Sequence, residues 1–269
     1  MKYRFYAVLL AATLVLAACE HPFQVHPYDV HVHGDHYINP RNIERIERAT
    51  LDRDTVRIAF ISDTHGWYTE AKAGISNINQ RSDIDFVVHL GDLTDTGTTK
   101  EFEWSRDILN ALHVPYVALI GNHDFLGTGD DAYNYIYGAK DFSFIAGRIK
   151  FVCLNTNATE YDFMAAVPNF DFMEEEITKD SARFDRTVVL MHAAPYSDQF
   201  NNNVAKAFRR YLDLFPGLIC CLYGHNHRLK ASAIYNDELM FYGVDSAQHS
   251  NYRVFTFIPD GYEEEVVYY

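Results

Sequence analysis

Cysteine is scarce in this chain, with four residues in 269, too few for a disulfide-stapled scaffold. Cys153, Cys220 and Cys221 each lie inside an apolar, strand-like run. Neighbours in one strand point to opposite faces, so all three read as buried thiols. Basic charge is also short. Lys and Arg number 23 against 37 Asp and Glu, a formal charge of −14, and no basic patch for nucleic acid is visible. Internal repeats, low-complexity tracts and a linker that would divide the body are all missing. What the chain does have is 48% hydrophobic and 15% aromatic content, enough for one large core and against disorder over most of its length.

Apolar runs of membrane-spanning length are missing as well: the longest, Ala7 to Ala18, is too short. It follows Lys2 and Arg4 and so fits a signal peptide. Its end, Leu16-Ala17-Ala18-Cys19, resembles a bacterial lipobox. That resemblance implies cleavage before Cys19, lipidation of Cys19, and an exported protein held in the bacterial cell envelope by a lipid anchor, facing the periplasm or the outer membrane. Residues 1–18 are then leader and 19–40 a tether rich in Pro, His and Asp. Its histidines, His31, His33 and His36, read as solvated. The folded body is expected over 41–269.

A short helix around Asn42 to Ala49 precedes the first strand, and strand and helix then alternate to about residue 225, a pattern that argues for parallel pairing in an α/β fold. Thr98-Thr-Lys-Glu101 is a capping box, with Phe102, Ser105, Leu109 and Leu112 following at helical spacing. Phe142–Ile145 and Lys150–Leu154 read as a hairpin. After His227 the chain turns to strands alone, at Ala231–Tyr235, Leu239–Tyr242, Tyr252–Ile258 and Tyr262–Tyr268, which implies a second, more antiparallel sheet.

Five apolar runs end in residues that metals favour. Ile58–Ile61 leads into Asp63 and His65, Phe86–Val88 into Gly91-Asp92-Leu-Thr-Asp95, and Tyr116–Ile120 into Gly121-Asn122-His123-Asp124; Thr187–Met191 leads into His192, and Leu218–Tyr223 into Gly224-His225-Asn-His227. In open α/β sheets the residues just past strand ends converge on one crevice. The converging set here is carboxylate, imidazole and amide, which suits Mn, Fe, Zn or Mg and is too large for one four-coordinate ion. Two adjacent metal ions account for it.

These five blocks resemble the calcineurin-like metallophosphoesterases, whose signature runs D-x-H, G-D-x-x-D, G-N-H-[DE], H, G-H-x-H, and every position is filled between Arg57 and Arg228. The resemblance implies a four-layer α/β/β/α sandwich of two mixed sheets with a dinuclear metal site at the strand ends. It further implies Asp63, His65 and His227 as ligands of the first metal and Asn122, His192 and His225 of the second, with Asp92 bridging. His123 becomes the acid for the leaving group, Asp124 the residue that orients its ring, and Asp95 an acceptor for a ligand histidine. Two metals ~3.5–4 Å apart clamp a phosphoryl oxygen and hold a bridging hydroxide, since metal binding lowers a water pKa from ~15.7 toward ~7.

Two departures narrow the substrate. Where protein Ser/Thr phosphatases of this superfamily carry Arg after the second Asp, this chain has Thr96, which disfavours phosphoproteins. Where purple acid phosphatases carry their Tyr ligand, it has Asp95. The expected activity is hydrolysis of small phosphate mono- or diesters. The alternatives are an inactive metal-binding envelope lipoprotein and a nuclease, the latter weakened by the negative charge.

Overall fold

The computed structural model describes residues 30–269; the leader, Cys19 and the first part of the tether lie outside the described residues. The elements run α1 (Ile38–Thr50), β1 (Val56–Ile61), α2 (Tyr68–Asn79), β2 (Phe86–His89), α3 (Thr99–Leu109), β3 (Tyr116–Ala118), α4 (Gly129–Ile136), β4 (Phe142–Ala146), β5 (Ile149–Leu154), α5 (Phe170–Thr178), β6 (Arg186–Met191), α6 (Ala205–Leu212), β7 (Leu218–Tyr223), β8 (Lys230–Ser232), β9 (Phe241–Gly243), β10 (Asn251–Ile258) and β11 (Gly261–Tyr268). They form two mixed sheets, ordered β11-β10-β1-β2-β3 and β4-β5-β6-β7-β9-β8.

Period-two alternation builds the layers. Ile58 and Phe60 of β1, with Phe86 and Val88 of β2, face Phe144, Phe151, Val188 and Leu222 of the other sheet across a continuous apolar core. The alternate residues, Ala59 and Val87, face outward and are covered by Ile75 of α2, Phe102 of α3 and Tyr133 of α4. On the far side Val152, Val189 and Cys221 are covered by Met173 of α5 and Phe208 of α6. The order is helix, sheet, sheet, helix. Cys153, Cys220 and Cys221 are buried free thiols, and α3 carries the full capping box between Thr98 and Glu101.

The strands after His227 do not form a sheet of their own. β8 and β9 extend the second sheet, with β9 parallel to β7, whereas β10 lies antiparallel to β1 and, with β11, completes the first sheet. The body also starts before residue 41. The His33 N–H donates to Glu103 at 2.7 Å, His36 stacks on Tyr135 at 5.1 Å, and Asn39 donates to the Ala118 carbonyl at 2.8 Å while accepting from its N–H at 2.9 Å. Asn42 donates to the Tyr116 carbonyl at 2.7 Å. Side chains of α1 thus satisfy an otherwise open edge strand, which ties the second half of the expected tether to the body.

One polar pair is buried within the outer layer of the second sheet. Lys150 of β5 meets the Glu176 carboxylate at 2.6 Å, with both side chains 1% exposed or less, and donates to the carbonyls of Glu176 and Lys179 at 2.7 and 2.8 Å. Burial pushes the Glu176 carboxyl up, but Lys150, Lys179 and Ser143 outweigh it and hold it below its ordinary value. Lys150→Met takes away the buried cation and leaves that carboxylate only Lys179 at 2.8 Å and the Ser143 hydroxyl at 2.6 Å, and is expected to cost about 3 kcal/mol of stability in a denaturant titration. An unchanged midpoint would contradict the assignment.

Candidate metal centre

Every signature block leaves the carboxyl end of a parallel strand: β1, β2 and β3 in one sheet, β6 and β7 in the other. The turns that follow are tight. Asp63, Asp92, His225 and His227 adopt positive φ values of 50°, 59°, 65° and 48°, a conformation that costs a non-glycine residue free energy and collects at functional sites. Two glycines permit the close approach of these turns. A Cβ on Gly121 would lie 2.1 Å from both the amide nitrogen and Oδ1 of Asp92, and one on Gly224 would lie 2.8 Å from Asp63 Oδ2.

Asp63, His65, Asp92 and His227 bring one donor atom each within 4.8 Å of one another, as do Asp92, His192 and His225. Asp92 belongs to both groups. Its Oδ2 lies 3.9 Å from His65 Nε2 and 3.3 Å from His192 Nε2. His227 Nε2 lies 3.2 Å from Asp63 Oδ1. Asn122 Oδ1 sits 3.0 Å from His192 Nε2 and 3.0 Å from His225 Nδ1.

Hydrogen bonds at the opposite ring positions fix which nitrogens face inward. His192 Nδ1 donates to the Leu90 carbonyl at 2.8 Å, His65 Nδ1 to Asp95 Oδ1 at 3.2 Å and His225 Nε2 to Asp198 Oδ1 at 2.7 Å. In the neutral rings the inward nitrogens then carry lone pairs, and they face carboxylate and amide oxygens. Lone pairs converging on lone pairs require positive charge between them. Without a metal ion a proton would fill that role: burial pulls the His192 imidazole down, but Asp92 more than offsets it and pushes it up to about 9. For Asp92 itself, burial pushes the carboxyl up while His192 and then His65 hold it well below the ordinary range. Two cations coordinated by these oxygen and nitrogen donors fit the arrangement.

His123 lies beside the centre, its ring stacked on that of His65 at 4.3 Å. Its Nδ1 is 2.9 Å from the Asp95 carbonyl, and its backbone N–H donates to Asp92 at 2.9 Å. Asp124 does not touch that ring. It turns inward, fully buried, and accepts from the N–H groups of Leu93 at 3.0 Å, Thr94 at 2.9 Å and Gly121 at 2.9 Å and from the Thr94 hydroxyl at 2.9 Å. The contact the sequence assigned to Asp124 is thus made by Asp95, and Asp124 staples the loop after β2 to the loop after β3. Asp124→Ala leaves several buried donors unpaired and is expected to cost about 3 kcal/mol of stability along with activity. Lost activity at unchanged stability would return Asp124 to the chemistry.

Two supporting residues had no signal in the sequence. His89 is buried in β2, and burial pulls its ring down to about 3. It therefore stays neutral, accepting from the Gly91 N–H at 3.2 Å and donating to Thr64 Oγ1 at 2.9 Å, which joins the turns carrying Asp63 and Asp92. Asp198 lies on an exposed loop that only the fold brings to His225. The loop Asn155–Tyr161 is tied to this region by Asn157, which donates to the Ile120 carbonyl at 3.1 Å. A groove of about 770 Å³ between α2 and α3 contains none of the ligand candidates.

The family model for calcineurin-like phosphoesterases matches residues 56–229, well over half of the chain. A 3′,5′-cyclic-nucleotide phosphodiesterase of Nostoc sp. (strain PCC 7120) is 26% identical over 194 residues, covering 64% of this chain and 72% of that protein. Glycerophosphodiester phosphodiesterase GpdQ of Enterobacter lignolyticus is 28% identical over 203 residues, covering 64% and 71%. Among solved structures, a dimetal phosphatase from Danio rerio superposes with a TM-score of 0.56 at 13% identity, over 80% of this chain and 99% of that one, a likeness of fold.

Proposed function

Because the chain belongs to the calcineurin-like phosphoesterase family and is therefore a metal-dependent phosphoesterase, we propose that it hydrolyses small phosphodiesters with two metal ions, Mn, Fe or Zn in first place and Mg as the further option. Asp63, His65 and His227 hold the first ion, Asn122, His192 and His225 the second, and Asp92 both. Ions bound there polarise a phosphoryl oxygen and acidify water, chemistry that no side chain of the site supplies.

The remaining work falls to the chain itself. His123 is aromatic neighbour to a ligand without being one. With Nδ1–H donating to the Asp95 carbonyl, its exchangeable proton sits on Nε2, which delivers it to the departing alkoxide. Asp95 serves two histidines, accepting from His123 through its carbonyl and from His65 through its carboxylate. The names of the cyclic-nucleotide and glycerophosphodiester relatives support a diester, and the charge of −14 disfavours a polynucleotide.

The observation that carries this reading is the sharing of Asp92 between two donor clusters built from four separate loops. The test is turnover by metal-stripped protein reloaded with Mn, Fe, Zn or Mg, on bis-p-nitrophenyl phosphate and p-nitrophenyl phosphate side by side. The expected result is metal-dependent hydrolysis with the diester preferred. Preference for the monoester would make the protein a phosphomonoesterase, and no turnover with any metal would remove the enzymatic reading.

The Leu16–Cys19 lipobox supports a lipid-anchored location in a bacterial envelope. Labelled palmitate should enter the wild type and not Cys19→Ala. Equal labelling of both would exclude that anchor.

A further inference from the structure

A cleft of about 400 Å³ opens beside the metal centre, and its lining continues the ligand loops. Asn226 stands between His225 and His227, Ala194 lies two residues beyond His192, and Ser197 precedes Asp198, the partner of His225. The cleft therefore adjoins the side of the centre that holds His225.

Three polar groups in this cleft lack partners. Ser197 Oγ and Ser232 Oγ are buried yet make no hydrogen bond, a costly state for a hydroxyl. Lys230 is exposed on the cleft wall and makes no ion pair among the described residues, in a chain where acidic groups outnumber basic ones 37 to 23. Lys230 and Ser232 are two apart on β8, so strand alternation turns both side chains to one face. At the rim Tyr196 takes φ 69° and packs against Tyr235 at 5.6 Å.

We infer that this cleft is the subsite for one ester arm of the diester, and that it selects an arm carrying a second negative charge, carboxylate or phosphate, through Lys230 with hydrogen bonds from Ser197 and Ser232. This rests on the phosphodiesterase reading and adds a substrate class to it. One cation with two hydroxyl donors matches a compact anion, and a quaternary ammonium arm would meet Lys230 with like charge.

The test uses three p-nitrophenyl phosphodiesters whose other arm is 2-carboxyethyl, 2-phosphoethyl or choline, with the full metal-loaded protein. Wild type is expected to show a kcat/KM at least tenfold higher for an anionic arm than for choline, and Lys230→Gln to lower that ratio about tenfold, mainly through KM. The carboxyethyl and phosphoethyl arms tell which anion the cleft prefers. Calorimetric titration of the corresponding phosphonates, in which a methylene replaces the bridging oxygen to the leaving group so that they are not hydrolysed, reads the subsite without turnover, with binding of the preferred anionic analogue weakened at least threefold in Lys230→Gln. Turnover without charge preference, or a ratio and an affinity that Lys230→Gln leaves unchanged, would overturn the subsite and leave the phosphodiesterase reading intact. Loss of all turnover with the binding preference retained would overturn the activity and keep the subsite.

Discussion

Asp92→Ala is expected to lose metal and activity together. Its carboxylate is the one group in both donor clusters, its Oδ2 lies between His65 and His192, and its Oδ1 accepts from the His123 backbone. Removing it would take the shared ligand from the two proposed cations and free the loop that carries Asn122 and His123. Residues that merely support a ligand cost about 10–100-fold in metal affinity, so the loss here should exceed ~100-fold and turnover should fall to background. Inductively coupled plasma analysis of the purified variant, beside its rate on bis-p-nitrophenyl phosphate, reads both quantities. Full metal content in the variant would remove Asp92 from the bridging position.

His123→Ala should behave in the opposite way. The ring is not among the residues assigned to hold metal, and its bonds run to the Asp95 carbonyl and, by stacking, to His65. Removing a general acid costs ~10²–10⁴-fold in rate, and both metals should stay bound. The loss should shrink for esters with good leaving groups, because p-nitrophenolate departs with little need of a proton, and grow for alkyl esters. A uniform loss across leaving groups, or metal loss equal to that of Asp92→Ala, would assign His123 a structural part instead.

Much of the centre was legible because its residues sit at fixed offsets past strand ends, and strand ends show in the sequence as apolar runs meeting Gly, Asp, Asn and His. Asp63, His65, Asp92, Asn122, His192, His225 and His227 are all brought together this way. What failed was inference from chain proximity. Asp124 adjoins His123, yet the 3₁₀ turn His123–Phe125 sends its side chain inward to the amides of Leu93, Thr94 and Gly121. Asp95, distant in sequence, meets the ring instead.

The last strands failed for a different reason. β10 is apolar on both faces, Phe255 and Phe257 toward the core between the sheets and Tyr252 and Val254 toward the helices, so its pattern is the same whichever sheet the strand joins. Asn39 and Asn42 read as ordinary polar residues because their use, satisfying the open edge of β3, depends on where α1 lands. Asp198 and the unpaired hydroxyls of Ser197 and Ser232 carry no sequence signal at all, since each is defined by what the folded loops place next to it.

The central claim is that this is a two-metal phosphoesterase, and stoichiometric titration of the metal-stripped protein with Mn, followed by hydrolysis of bis-p-nitrophenyl phosphate after each addition, tests it most directly. The account predicts turnover that rises to a plateau at two ions per chain and vanishes on chelation. A plateau at one ion, or hydrolysis that survives full chelation, would contradict it.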